Sequence, residues 1–194
     1  EHLDAWSAYH LGLHHMYRFN KADNAQATHY FERAAFLEPD FARAYAGLSF
    51  THFQDAFLRY SGDVDASMKH AYGFAERALE HDPMDPFGNF TMGRAVMLRG
   101  DLDGALPWLE RANTLSPNYA QAKYSRAWVD AMIGCVEESR SDIDEAMALS
   151  PLDPFRYAML GVRSFLHIVQ RDFAAAAEWG SGRRNSPTRM CSLI

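Results

Sequence analysis

Histidine is the residue type in this chain best suited to chemistry. Nine occur among 194 residues, and an imidazole can bind a metal or move a proton near neutral pH. His10 and His14 are four apart and so share one helix face, with His15 adjacent. A zinc site needs three or four converging donors. No HExxH arrangement and no neighbouring carboxylate in the sequence completes such a set, so packing or surface histidines are expected, with no metal and no cofactor. Cys135 and Cys191 lie far apart, outside any CxxC or Cys/His pattern. They suggest neither a disulfide framework nor a zinc site, and fit a reducing compartment. No glycine-rich phosphate loop or nucleophile elbow occurs. The acidic runs at Asp63 to Asp65 and Asp142 to Glu145 read as helix starts, where carboxylates complement the helix dipole. The terminal Cys191-Ser192-Leu193-Ile194, with Arg183 and Arg184 upstream, has the form of a prenylation box, and is read as an accidental match at a truncated end.

Composition narrows the function classes further. With 48% hydrophobic and 23% charged residues the chain can bury a core. Its 19 Lys and Arg against 25 Asp and Glu give a net charge of −6, which offers no broad basic surface for a phosphate backbone. No apolar run approaches the roughly 18 residues that span a bilayer, and the opening residues lack the layout of a secretory signal. A cytoplasmic, non-enzymatic segment without direct nucleic-acid or membrane contact is therefore expected. Glu at position 1 points to a piece of a longer protein.

The elements that position these residues follow from proline. Pro83, Pro117 and Pro151 are spaced by 34 and 34 residues, and Pro39 precedes Pro83 by 44. Each closes an amphipathic phrase, and a fixed period of this length is the mark of a repeat architecture. Apolar residues recur at three and four, and the punctuation allows two helices per copy. Helices are predicted over 3–19, 23–37, 40–60, 64–81, 85–99, 102–115, 118–133, 136–149, 153–170 and 173–182. Asp85-Pro86 and Asp153-Pro154 read as N-cap and first helical position. Gly100-Asp101, Gly134 and Arg171-Asp172 mark turns.

These copies resemble the tetratricopeptide repeat family. The third carries Met92-Gly93, Ala105, Leu109, Ala112 and Pro117, and the fifth begins with Tyr157, Leu160 and Gly161. The first has Leu11-Gly12, Ala27, Phe31, Ala34 and Pro39; the second has Tyr45, Leu48, Ala71, Ala75, Ala78 and Pro83. The fourth is degenerate, with Lys123 and Arg126 at positions that are usually apolar. The resemblance implies an all-α, right-handed helical solenoid of about five helix-turn-helix units. The array would run over 1–183, with repeats near 5–41, 42–85, 86–119, 120–153 and 154–183 and a polar tail at 184–194. A looser resemblance of the opening stretch, from Leu3 to Phe57, is to the repeat region of multidomain bacterial transcriptional regulators and nucleotide cyclases. It implies context only and assigns no active-site residue.

In such repeats one arc of each first helix lines a concave surface used for partners. Counting from Ala5, Ala42, Pro86, Ala120 and Pro154 as position 1, that arc holds Trp6, Tyr9 and Tyr17, then Phe50 and Phe53, then Phe87, Phe90 and Arg94. The last two copies add Tyr124 and Trp128, and Phe155 and Phe165. Two readings stand. The arc is core, covered by curvature, an insertion or the tail; or it is a groove for an apolar peptide, an amphipathic helix or a second copy of the chain. Two known binding modes are disfavoured. A clamp on a terminal carboxylate needs cations at positions 5 and 9, where only Arg94 qualifies, and the asparagine ladder at position 6 is replaced by His10, Gly47, Thr91, Ser125 and Met159. The reading is a protein- or peptide-binding module, with an oligomerisation scaffold as the alternative. In the second copy, the ten extra residues around Ser61-Gly62-Asp63 are expected to extend both helices into a projecting finger, with Phe57 and Tyr60 either binding or packing the hairpin on itself.

Overall fold

The computed structural model describes residues 4–181, which are helical with no strand among them. The helices are α1 (Ala5–Met16), α2 (Lys21–Leu37), α3 (Ala42–Phe57), α4 (Val64–His81), α5 (Pro86–Leu98), α6 (Leu102–Leu115), α7 (Ala120–Ile133), α8 (Val136–Leu149), α9 (Arg156–Val169) and α10 (Phe173–Gly180). The start signals act locally. The side chains of Asp4, Asn20, Asp63, Asp85, Asp101 and Asp172 each accept a backbone N–H of the first turn they precede, satisfying a donor that the helix itself cannot pair. Pro86 occupies the first turn of α5 as expected. Gly134 ends α7 in the left-handed conformation, at φ 91°, which costs glycine little.

Asp153-Pro154 behaves differently from Asp85-Pro86. Asp153 Oδ1 accepts from Phe155 N at 2.7 Å, closing a tight turn two residues on rather than capping three residues on, and α9 begins only at Arg156. The acidic run at 142–145 is also not a helix start: it lies in the middle of α8, which begins at Val136.

Two compact units divide the chain, one ending at Pro117 and the other beginning at Asn118. In the first, α1–α2, α3–α4 and α5–α6 form hairpins, and each following hairpin packs on the one before, with α3 also against α5. Small residues set the approach of the helices. A Cβ on Gly12 of α1 or on Gly47 of α3 would come within 2.5 and 2.7 Å, respectively, of the Phe31 ring. Phe31 of α2 is fully buried, so two glycines on successive first helices open the slot for one aromatic ring. At Gly93 of α5 a Cβ would meet Leu109 of α6 at 2.7 Å. Ser49 of α3 donates to the Ala71 carbonyl of α4 at 2.7 Å, which requires a comparably close approach.

The extra length of the second hairpin is spread over all its parts: α3 has 16 residues against 13 in α5, and α4 has 18 against 14 in α6. It does not project as a finger. Tyr60 Oη donates to the Phe19 carbonyl at 3.1 Å, and Asn24 of α2 donates to Thr51 O at 3.0 Å and Asp55 at 2.8 Å. The hairpin is tied back onto its neighbour. Phe57 stacks on Phe53 at 5.3 Å and stays half exposed.

In the second unit α7–α8 and α9–α10 form hairpins, with α9 against both helices of the first. Ser139 of α8 donates to the Ala127 carbonyl of α7 at 2.6 Å, and Ser164 of α9 to the Ala176 carbonyl of α10 at 2.8 Å. That second contact corrects the frame of the last copy. Gly161, expected at the close approach, faces open space; Ser164, three residues later, takes the position, because α9 starts late and its inward face is displaced by almost one turn.

Candidate functional site

The aromatic arc is best followed helix by helix. On α1, Tyr9 is buried against Phe31 at 5.8 Å and Phe41 at 5.1 Å, and burial pushes its hydroxyl well above the usual range. Trp6, one turn earlier, is 57% exposed; it meets His10 edge-on at 4.5 Å and stacks over Phe41 at 6.2 Å. Tyr17 caps α1 and is partly exposed.

On α3 and α5 the arc is closed. Phe50 lies 6.3 Å from Phe87 and 6.2 Å from Phe90, and the Arg94 guanidinium sits 3.7 Å above the Phe53 ring, 4.8 Å from Phe50 and 5.4 Å from Phe90. All five of these side chains are buried. The expectation of an open aromatic surface fails here for a simple reason: α5 packs on α3 as well as on α4 and α6, so the face that one helix presents is covered by the next. Arg94 contributes through its face, since a guanidinium stacked on rings in a water-poor setting is worth roughly 2 kcal/mol or more.

In the second unit Tyr124 and Phe155 are buried against each other at 5.7 Å. Trp128 and Phe165, 6.1 Å apart, are partly exposed. Met132 and Ile133 on α7 and Ile168 and Val169 on α9 are exposed nearby in sequence. The accessible members of the predicted set are therefore Trp6, Tyr17, Trp128 and Phe165, while Tyr9, Phe50, Phe53, Phe87, Phe90, Arg94, Tyr124 and Phe155 are buried.

Sequence reading missed the polar fixtures. Arg43 Nε donates to Asp85 at 2.8 Å, and the same carboxylate caps α5 at Gly88 N; the residues are 42 apart, so no local pattern announces the pair. The degenerate Lys123 and Arg126 pair with acids of α8, Lys123 with Glu145 at 3.1 Å and Arg126 with Asp142 through two nitrogens. The run at 142–145 thus has a cross-helix role that a helix-start reading left out.

The histidines have separate engagements. His14 contacts Arg18 at 2.8 Å, and His15 Nδ1 lies 2.6 Å from Asp23; hydrogen bonds from His15 and then Asn20 hold the Asp23 carboxyl below its usual range. Burial, with His70 beside it, depresses His52 to about 4. Asp55 lies 3.6 Å from His52, and burial raises its carboxyl against the lowering effect of the Asn24 hydrogen bond and of Lys21. Among the described residues no three His, Cys, Asp or Glu side chains converge as a metal would need, and no helix is long and apolar enough to cross a membrane. Cys135, at the start of α8, is a free thiol. Cys191, Arg183, Arg184 and the rest of the 184–194 tail lie outside the described residues.

No protein-family profile matches the chain. A segment of 88 residues, 45% of the chain, is 28% identical to "Putative adenylate cyclase 3" of Rhizobium meliloti strain 1021, and spans only 15% of that protein's length. Among solved structures, the thermophilic TPR protein TTC0263 of Thermus thermophilus aligns over 95% of this chain and 92% of its own, at 18% identity and a TM-score of 0.72. MamA aligns over 98% and 96%, at 13% identity and 0.59. YrrB, described as a TPR protein with an unusual peptide-binding site, aligns over 81% and 75%, at 20% identity and 0.51. The period, the paired helices, the small residues at their crossings and these likenesses together give the chain the fold of tetratricopeptide repeats.

Proposed function

We propose that this chain is a non-catalytic module that binds a protein or peptide, working in the cytoplasm as the partner-binding part of a larger bacterial signalling protein. The observation that carries the reading is the division of labour within the aromatic arc. Most of its rings are sealed in the core, and a few large ones stay partly exposed: Trp6, which lies against the buried Tyr9 at 6.0 Å, and Tyr17 in one unit, and Trp128 and Phe165, 6.1 Å apart, in the other. Rigid aromatic anchors of this kind dominate binding energy, because little side-chain freedom is lost when a partner docks. The description of YrrB as peptide-binding supports the class of partner. The matched stretch of a protein named as an adenylate cyclase supports attachment to a catalytic domain.

The test is a peptide-display selection on the wild-type chain, repeated with Trp128→Ala/Phe165→Ala. The selected peptides are expected to lose about tenfold or more in affinity, on the order of 1.4 kcal/mol. Unchanged affinity, or no peptide selected, would count against the reading. Phe90→Ala is unsuitable for this purpose, since Phe90 is fully buried and its loss would disturb the fold.

The second reading is self-association, favoured by the exposed apolar residues Met132, Ile133, Ile168 and Val169. Light scattering across a hundredfold concentration range distinguishes them: a dimer abolished by Met132→Ser/Ile168→Ser makes this surface a scaffold for the attached domain.

A further inference from the structure

The half-exposed Trp6 borders a cavity of about 470 Å³ that the arc does not include, formed with Glu38, Asp40, Phe41, Ala42, Arg43, His81 and Asp82. It lies where the turn between the first two hairpins meets the end of α4. We propose that this cavity receives a cationic side chain, arginine ahead of lysine, carried by a polypeptide partner. The proposal rests on the interaction-module reading only for the carrier of the charge; the pocket itself is argued separately.

Two kinds of surface converge there. One is aromatic: Trp6 stacks on Phe41 and is braced edge-on by His10, while most of its own surface remains open to solvent. Indole faces attract cations more strongly than other rings do, and guanidinium adds planar stacking. The other is anionic, with three carboxylates, Glu38, Asp40 and Asp82, on the wall. The lining cation Arg43 is bonded through Nε to Asp85 at 2.8 Å, and its charge also acts on Asp82, whose Oδ1 accepts from Met84 N, so Glu38 and Asp40 are the carboxylates that face a ligand. Asp40 is held only loosely, with His81 Nδ1 at 3.7 Å, and its side chain is 92% exposed, so it can turn to meet a ligand. His81 is stacked on Tyr45 at 5.4 Å, which directs its ring toward structure. An aromatic platform beside uncancelled carboxylates favours a guanidinium, which can stack and donate to two carboxylate oxygens at once.

The experiment uses the full chain labelled with ¹⁵N and three capped amino acids: N-acetyl-arginine amide, the lysine equivalent and the neutral citrulline equivalent. Arginine should move the Trp6 indole N–H and the amides of Glu38 to Arg43 saturably, lysine less, and citrulline very little. Trp6→Ala should abolish the response of those amides, and Glu38→Gln/Asp40→Asn should weaken it roughly fivefold, as expected for losing charge partners at a surface. The second variant alters only exposed side chains, so it guards against a folding artefact in the first. Equal responses to arginine and citrulline, persistence in Trp6→Ala, or no response at all overturns the pocket. If display-selected peptides still depend on Trp128, that outcome removes this pocket and leaves the module reading intact.

Discussion

The hairpins α5–α6 and α7–α8 follow the same helical plan but are held together by different chemistry. In α5–α6, Gly93 admits the Leu109 side chain and the interface is apolar, with Ala105, Leu109 and Ala112 fully buried. In α7–α8 the second helix buries polar Ser139 and Asp142 beside Ile143 and Ala146, and Lys123 and Arg126 reach across to Glu145 and Asp142. A copy that departs from the repeat pattern is therefore not simply weaker: its cations have matched acids on the partner helix. The last hairpin adds the pairing of Arg163 with Asp144, and Arg163 also lies 4.6 Å from the Trp179 ring. Removing one partner of a buried pair leaves the other charge without its match, which is strongly destabilising.

The largest expected effect comes from breaking that matching. Asp142→Ala should destabilise the second unit by about 3 kcal/mol, because Arg126 loses its buried carboxylate. Replacing both residues by leucine should restore stability to within about 1 kcal/mol. Chemical denaturation of the three proteins checks this; a harmless Asp142→Ala would mean the ion pair contributes little. Next come two glycines that look alike in sequence. Gly93→Ala should cost about 2 kcal/mol by overpacking Leu109, whereas Gly161→Ala, facing open space, should stabilise by about 0.5 kcal/mol through helix propensity. Melting temperatures moving in the same direction would erase the distinction between the two hairpins. The smallest effect concerns acid. His52 has its pKa lowered from 6.5 to about 4, so the unfolded chain binds the proton first and stability is lost as pH falls from 6.5 toward 4. About 1 kcal/mol should be gone at pH 5.5. His52→Gln should flatten that dependence, measured beside Asp55 and His70, which face it; an unchanged slope would show that the burial of His52 does not carry the response.

Much of the helical plan was legible because its signals are local. Proline spacing, Asp caps and left-handed turns lie within a few residues of what they control, and the ten helix positions follow them closely. The site was less legible because its outcome depends on neighbours. Angular position tells which side of α3 carries Phe50 and Phe53; only the packing of α5 decides that this side is sealed. The last copy misled for a related reason. Gly161 and Ser164 are both small and three apart, so either frame looks acceptable until the late start of α9 selects one. The Arg43–Asp85 bond spans two hairpins and has no sequence signature.

The bond from Tyr60 to the Phe19 carbonyl joins residues 41 apart and links the tip of the long hairpin to the turn of the one before it. In a linear array the opening of one hairpin is coupled to its neighbour through the contacts the two share. Fastening its turn to the next hairpin makes the opening of α1–α2 and the loosening of α3–α4 a shared event. Amide hydrogens of those two hairpins should accordingly exchange with solvent as one block, and Tyr60→Phe should let the two exchange at separate rates.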